Sequence, residues 1–390
     1  MLKLARRALR LAVLARLGRL LLPLEKLATR RAAARVPRQP RVLLLGWYGT
    51  ETVGDRAILA ECCRLLQDAY GPCRFQLASS RPAFSRRTLE QLELDFPVVS
   101  PALAEIGRAD LVVVAGGPVM DDPEMLTWWL RLLAARWLGK PCVLLGVGAH
   151  PLKTMLALAR SLAALSQRVA LREEGALPGR VFVDPALYAP IPHRPERGDG
   201  FHLAVNLRPW PPAFYRGPHS AYRPTWERFL GEVLAALEDL CRRGVVQRLT
   251  LFPMHDVPPD DDRLLYQSCT ALSARFVPEP LTPRATAELL AGADAFLGMR
   301  FHANVLAALA GTPGLGLDYD SSLGKITWFY GALGQPERAL PLAHVTRGAL
   351  TGAIEAIARD WPEQHRRTVE GRDRLRQTRP QLVDWLAELA

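Results

Sequence analysis

Beyond residue 40, short apolar runs alternate with longer stretches whose apolar positions recur every three or four residues. The runs at 41–46 (RVLLLG), 75–78, 110–115 (DLVVVA), 141–147, 168–172 and 181–184 predict strands. The stretch 54–70 predicts the first helix of the series. At 187–200 the pattern stops in LYAPIPHRPERGDG, whose prolines and glycines read as a linker. The alternation then restarts, with strands predicted at 202–207, 248–252, 295–299 and 315–319 and helices at 226–242, 261–273, 284–291 and 303–310. From about 347 the chain reads as charged helix, broken at Pro362 and Pro380. Apolar strands alternating with helices are the signature of parallel α/β units. The expectation is two α/β domains facing a cleft, at 41–190 and 201–345, joined by a linker at 191–200 and followed by C-terminal helices at 346–390. Ligands in such sheets bind at the carboxyl ends of the strands.

Composition supports this division. A chain of 390 residues exceeds one ordinary core, and 49% hydrophobic with 23% charged residues fits a globular protein. The net charge of +11 invites a nucleic-acid reading until it is located. Residues 1–40 carry eleven Lys or Arg and one acid, Glu25, which leaves 39 bases and 38 acids elsewhere. The body is nearly neutral and the basic character belongs to a tail, so no nucleic-acid partner is expected. Residues 2–15 set Lys3, Arg6, Arg7 and Arg10 beside Leu4, Leu9 and Leu11. Such a basic amphipathic tail fits an interfacial helix on an anionic membrane, a solvated leader packed loosely on the fold, or a mitochondrial presequence. No run of 18 uncharged apolar residues is present, so a spanning helix is not expected. The location expected is cytoplasmic, with peripheral attachment to the inner face of the cell membrane as the variant. The six cysteines show no metal-ligand spacing and read as small buried hydrophobes, and no metal site is expected.

Three Gly-bearing loops follow predicted strands of the first half. In GWYGTETVGD, Gly49 permits a tight turn, and Asp55 either caps the following helix or meets an acceptor. In AGGPVMDD, Gly116 and Gly117 allow close backbone approach, by a ligand or in ordinary turn chemistry. In GVGAHP, His150 stands at a strand's carboxyl end. The second half is chemically sharper. Arg208 ends the strand of NLR, and Arg300 and His302 end that of GMRFH. Two guanidiniums at strand ends suit a small dianion, and a histidine can transfer a proton near neutrality. The bland alternative is that the arginines are salt-bridged and His302 caps or packs.

Read in order, GWYGTETVGDRAIL, GGPVMDD, GKPCVLLGVGAHPL, ALREEGAL, VDPAL, NLRPW, LFPMHD, GMRFHANVLAALAGTP and DYDSSLGK resemble the successive blocks of the polysaccharide pyruvyl transferases. The resemblance implies two Rossmann-like domains in a glycosyltransferase-B-like arrangement. It implies transfer of the pyruvyl group of phosphoenolpyruvate to a sugar as a cyclic ketal in cell-envelope or exopolysaccharide synthesis. Phosphoenolpyruvate is then a substrate, no cofactor is needed, and a lipid-linked sugar is among the acceptors to consider. Carried over by position, Arg208, Arg300 and Lys325 would hold the donor and His302 would transfer protons, while Gly49, Asp55, Gly116, Gly117 and His150 would lie on the acceptor side. Three departures bear on the acceptor: Arg56 stands where the family has Glu, Pro118 replaces the third glycine, and His150 replaces a glycine. The alternatives are a nucleotide-sugar glycosyltransferase of the same architecture and an inactive membrane-associated relative.

Overall fold

The structure is a computed structural model that describes residues 2–100, 103–119, 122–149, 154–210, 219–319 and 324–390. For residues 2–10, 118, 149 and 219 it describes the backbone only. The chain divides into two units, one of Met1–Glu51, Asp55–Pro185 and Thr378–Ala390, the other of Thr52–Gly54 and Ala186–Gln377.

The first unit opens with α1 (Leu2–Thr29), followed by β1 (Arg41–Leu45), α2 (Val53–Tyr70), β2 (Arg74–Ala78), α3 (Pro82–Gln91) and β3 (Val98–Val99). Then come α4 (Leu103–Arg108), β4 (Leu111–Ala115), β5 (Pro118–Val119), α5 (Glu124–Trp137), β6 (Cys142–Ala149), α6 (Leu156–Ala164), β7 (Arg168–Leu171) and β8 (Arg180–Val181). Its sheet runs β3-β2-β1-β4-β6-β7-β8, with β5 beside β6, and every pairing is parallel. Leu111–Ala115 is buried along its whole length, as a strand covered on both faces must be.

The tail expected at residues 1–40 is part of this unit. Leu11, Leu14 and Leu21 pack against a core that includes Trp128, Trp129 and Leu158. Glu25 accepts from the Ser161 hydroxyl at 2.5 Å, and Val36 N–H donates to Leu389 O at 2.8 Å. The reading as a loosely packed leader therefore fails, because α1 carries a second apolar face that the sheet-covering helices α5 and α6 bury. Among the described residues no helix is long and apolar enough to cross a membrane.

The second unit contains β9 (His202–Asn206), α7 (His219–Arg242), β10 (Arg248–Leu251), β11 (Arg275–Phe276), α8 (Pro283–Ala291), β12 (Ala295–Gly298) and α9 (Phe301–Leu309). It continues with β13 (Gly314–Asp318), α10 (Lys325–Ala332), β14 (Ala339–Pro341), α11 (Arg347–Arg359) and α12 (Trp361–Arg376), and the last helix, α13 (Arg379–Ala387), returns to the first unit. The parallel sheet order is β11-β10-β9-β12-β13-β14. The helix expected at 261–273 is instead a 3-10 segment, Asp262–Cys269, started by Asp261, whose carboxylate accepts from Arg263 N–H. The expected C-terminal block at 346–390 is not one body, since α11 and α12 group with the second unit and α13 with the first.

Both sheets have the order of a doubly wound α/β fold. The strand sequence reverses direction between β1 and β4 in one and between β9 and β12 in the other, and such switch points open a crevice at the carboxyl ends.

Candidate functional site

In the second unit the switch point is where the chemistry collects. β9 and β12 are adjacent, with Asn206 paired to Gly298 in register. Arg208 lies two residues past the end of β9 and Arg300 two past β12, so one sheet geometry brings both arginines to the same edge. Arg300 is also the N-cap residue of α9. Asn206 ties the two loops together: its amide donates to Phe252 O, and its carbonyl accepts from Arg300 N–H at 3.2 Å. Asn304, one turn into α9, holds the segment between β12 and α9, donating to Gly298 O and to Arg300 O.

Both arginines are buried, at 6% and 8% exposure, and both are salt-bridged, as the bland reading holds. Arg208 donates from Nη1 to the Tyr319 hydroxyl, from Nη2 to Asp260 at 2.8 Å and from Nε to Pro209 O. Burial alone would lower its pKa, but Tyr319, Asp260 and Asp262 outweigh burial and raise it. Asp260 is pushed up by burial, yet Arg208 and Arg300 carry it below the ordinary carboxylate value. Arg300 donates from Nε and Nη2 to Asp262 and from Nη2 to Asp260 O, leaving Nη1 with no partner among the described residues. Asp262, with its side chain wholly buried, also accepts from Met254 N–H and from the Asn206 amide. Simple forks offered to a dianion are therefore not what the fold builds. Instead, two carboxylates fix two guanidiniums in place. The sequence reading missed Asp260 and Asp262 because three acids in a Pro-rich loop, PPDDD, look like a solvated turn.

His302, half-buried, stands in the first turn of α9 with its ring edge-on to Phe301 at 5.2 Å. Lys325 begins α10, and its Nζ lies 5.7 Å from the Phe301 ring. His302 and Lys325 thus both lie against the Phe301 ring, next in sequence to Arg300. Thr52–Gly54 group with this unit, and Val53 N–H donates to Met254 O at 3.0 Å. A Cβ on Gly54 would sit 2.0 Å from Nδ1 of His302, so the absence of a side chain at 54 is what admits the imidazole. From sequence Gly54 reads as the start of the first helix, a place that gives no sign of the close approach.

At the first unit's switch point, Gly49 follows β1, and Gly116 and Gly117 follow β4. The last two have φ of +70° and +80°, which glycine adopts without strain. What approaches them is the protein itself: added Cβ atoms would meet Ile58 at 2.4 Å and Trp47 at 2.2 Å. Gly49 turns likewise against Ser80 and Arg81. The loop between Gly46 and Asp55 is pinned from within. Tyr48 donates to Ala115 O, and buried Glu51 accepts from Ser85, its carboxyl pushed up by burial. Asp55 lies in the first turn of α2, which starts at Val53, where a carboxylate complements the helix dipole. Arg56 is buried, bonds Gln91 and lies over Phe84, so this departure has a packing role. His150 lies outside the described residues.

The fold resembles several solved structures. A UDP-GlcNAc 2-epimerase from Neisseria meningitidis matches with a TM-score of 0.54 at 13% identity, over 84% of this chain and 94% of that one. The spinosyn rhamnosyltransferase SpnG, complexed with thymidine diphosphate, matches with 0.51 at 14% identity, over 86% and 96%. UGT2 of Phytolacca americana matches with 0.52 at 11% identity, over 90% and 99%. At these identities the likeness is one of fold, two Rossmann-like domains of the glycosyltransferase-B kind. No curated protein matches the sequence significantly. A family model described as polysaccharide pyruvyl transferase matches residues 53–321, which include every residue assembled at the second switch point except Lys325.

Proposed function

This chain belongs to the polysaccharide pyruvyl transferase family, and we propose that it transfers the pyruvyl group of phosphoenolpyruvate to two hydroxyls of a sugar as a cyclic ketal. The observation that carries the reading is the pair of buried arginines beside His302 at one switch point. Arg300 Nη1 faces a donor anion with its other nitrogens already held, so the guanidinium is pre-oriented at little entropic cost. Arg208 can engage a second anionic group if Asp260, 34% exposed at its side chain, yields its place. Lys325 supplies a further cation near Phe301.

His302 gives a proton to the methylene carbon of the donor, and positive charge develops at the adjacent carbon. The first sugar hydroxyl bonds to that carbon and its proton restores the imidazolium. The C–O bond to phosphate then breaks, the second hydroxyl closes the ring, and its proton leaves with the phosphate. One phosphate is released per ketal, and no water is consumed. Fixed guanidiniums around the departing phosphate are worth several kcal/mol in a site shielded from water.

The test uses conservative variants, because removing a guanidinium would strand a buried carboxylate. Arg208→Lys and Arg300→Lys should weaken phosphoenolpyruvate binding about 10- to 100-fold through loss of the planar fork. His302→Gln should leave binding within a few fold while phosphate release falls roughly 100-fold or more. A folded His302→Gln protein with near-normal turnover would falsify the proton-transfer role. The nucleotide-sugar reading draws on the fold likeness to SpnG, and it would gain if a nucleotide-sugar and not phosphoenolpyruvate were consumed.

A further inference from the structure

We propose that α1 seats the protein on the surface of an anionic lipid bilayer through an apolar stripe on its outward face. The stripe is Val13, Leu17, Leu20, Leu24 and Leu27, exposed by 48%, 48%, 76%, 37% and 48%. Their spacing of four and three residues puts them within an arc of about 80° on a helix of 3.6 residues per turn. It is a different face from the one that carries Leu11, Leu14 and Leu21 into the core. Five large apolar side chains along about 21 Å of helix form a contiguous patch of the kind that marks an interaction surface.

Charge decides what covers it. Arg16, Arg19 and Lys26, all exposed, follow along one edge of the stripe. The only acid of residues 1–40, Glu25, is turned to the inward side, where it accepts from Ser161. The outward face thus presents bases and leucines and no carboxylate. A second copy of α1 would oppose bases to bases with no acid to pair them. An anionic lipid surface matches both features, taking the leucines at the acyl boundary and the bases among the headgroups. The stripe is too short to span a bilayer and has the length of a helix lying in the interface. This inference is independent of the reaction proposed above.

The test is flotation of the full chain with phosphatidylcholine vesicles made with and without phosphatidylglycerol. Binding is expected only with phosphatidylglycerol, and it should weaken as salt is raised. Arg16→Gln/Arg19→Gln should weaken it roughly thirtyfold, and Leu17→Glu/Leu20→Glu by at least as much. Both pairs lie on the solvent face and should leave the melting temperature unchanged. Failure of the wild-type protein to float with anionic vesicles, or binding by the leucine pair equal to wild type, would overturn the proposal. So would a concentration-dependent dimer in sedimentation that the leucine pair abolishes.

Discussion

Replacing Asp262 by Asn tests whether the two carboxylates hold the arginine pair. The Asp262 side chain has no exposure, and Arg300 opposite it has 9%. Four donor groups converge on this carboxylate: Met254 N–H at 2.8 Å, the Asn206 amide at 3.2 Å, and Arg300 Nε and Nη2 at 3.0 and 2.5 Å. Asparagine keeps one acceptor oxygen, but its amide would point at donors, and the buried guanidinium would lose its counter-charge. Breaking a buried pair from one side costs about 3–5 kcal/mol. The value should fall near the lower end, about 3 kcal/mol, because Arg300 still donates to Asp260 O. For a unit of this size that is a drop of roughly 6–12 °C in melting temperature. Asp260→Asn is the comparison. Its side chain is partly exposed, and Arg208 retains Tyr319 and Pro209 as acceptors, so about 1 kcal/mol is expected. Urea unfolding followed by tryptophan fluorescence and circular dichroism reads both variants. If Asp262→Asn unfolds within about 0.5 kcal/mol of wild type, or costs less than Asp260→Asn, the reasoning about the clamp is wrong.

The other predictions concern single contacts. Gly54→Ala places a Cβ 2.0 Å from His302, so phosphate release should fall about 100-fold as the ring is displaced. Gly231→Ala, with open space at its Cβ, should leave the rate unchanged and serves as the control. Gly117→Ala combines φ of +80° with a Cβ 2.2 Å from Trp47, and it should destabilise by about 1–3 kcal/mol in denaturant titration. Asp239, bonded first by Arg242 and then by Arg347 and Arg243, has its carboxyl lowered to about 2. A carboxyl lowered on folding stabilises fully above the unfolded value near pH 4, and that contribution disappears as pH falls toward 2. Asp239→Asn should therefore melt below wild type at neutral pH and approach it across that window.

The alternation of apolar runs and helical periods points to ten of the fourteen strands among the described residues, because buried parallel strands are continuous apolar runs. The two-residue strands β3, β5 and β11 and the short β14 carry too few residues for any period to register. Arg208, Arg300 and His302 were legible because strand-end positions in α/β sheets are where ligands bind. Their carboxylate partners were not, since nothing local in PPDDD tells a buried ion pair from a solvated turn. Gly116 and Gly117 are legible as special, for a ligand's approach or for an ordinary turn, and Ile58 and Trp47 occupy the space they leave. A sequence marks that a Cβ is missing but not which neighbour needs the room. In the tail, residues 2–15 read as basic and amphipathic, whereas the two apolar faces of α1 differ in packing, with Leu14 and Leu21 against the core and Leu17 and Leu20 exposed.

Isothermal titration of the full chain with phosphoenolpyruvate, and separately with UDP- and thymidine-diphosphate-linked sugars, asks whether the second switch point takes phosphoenolpyruvate. Saturable heat is expected with phosphoenolpyruvate, weakened in Arg300→Lys and preserved in His302→Gln. Binding of a nucleotide-sugar with no heat from phosphoenolpyruvate would contradict that expectation.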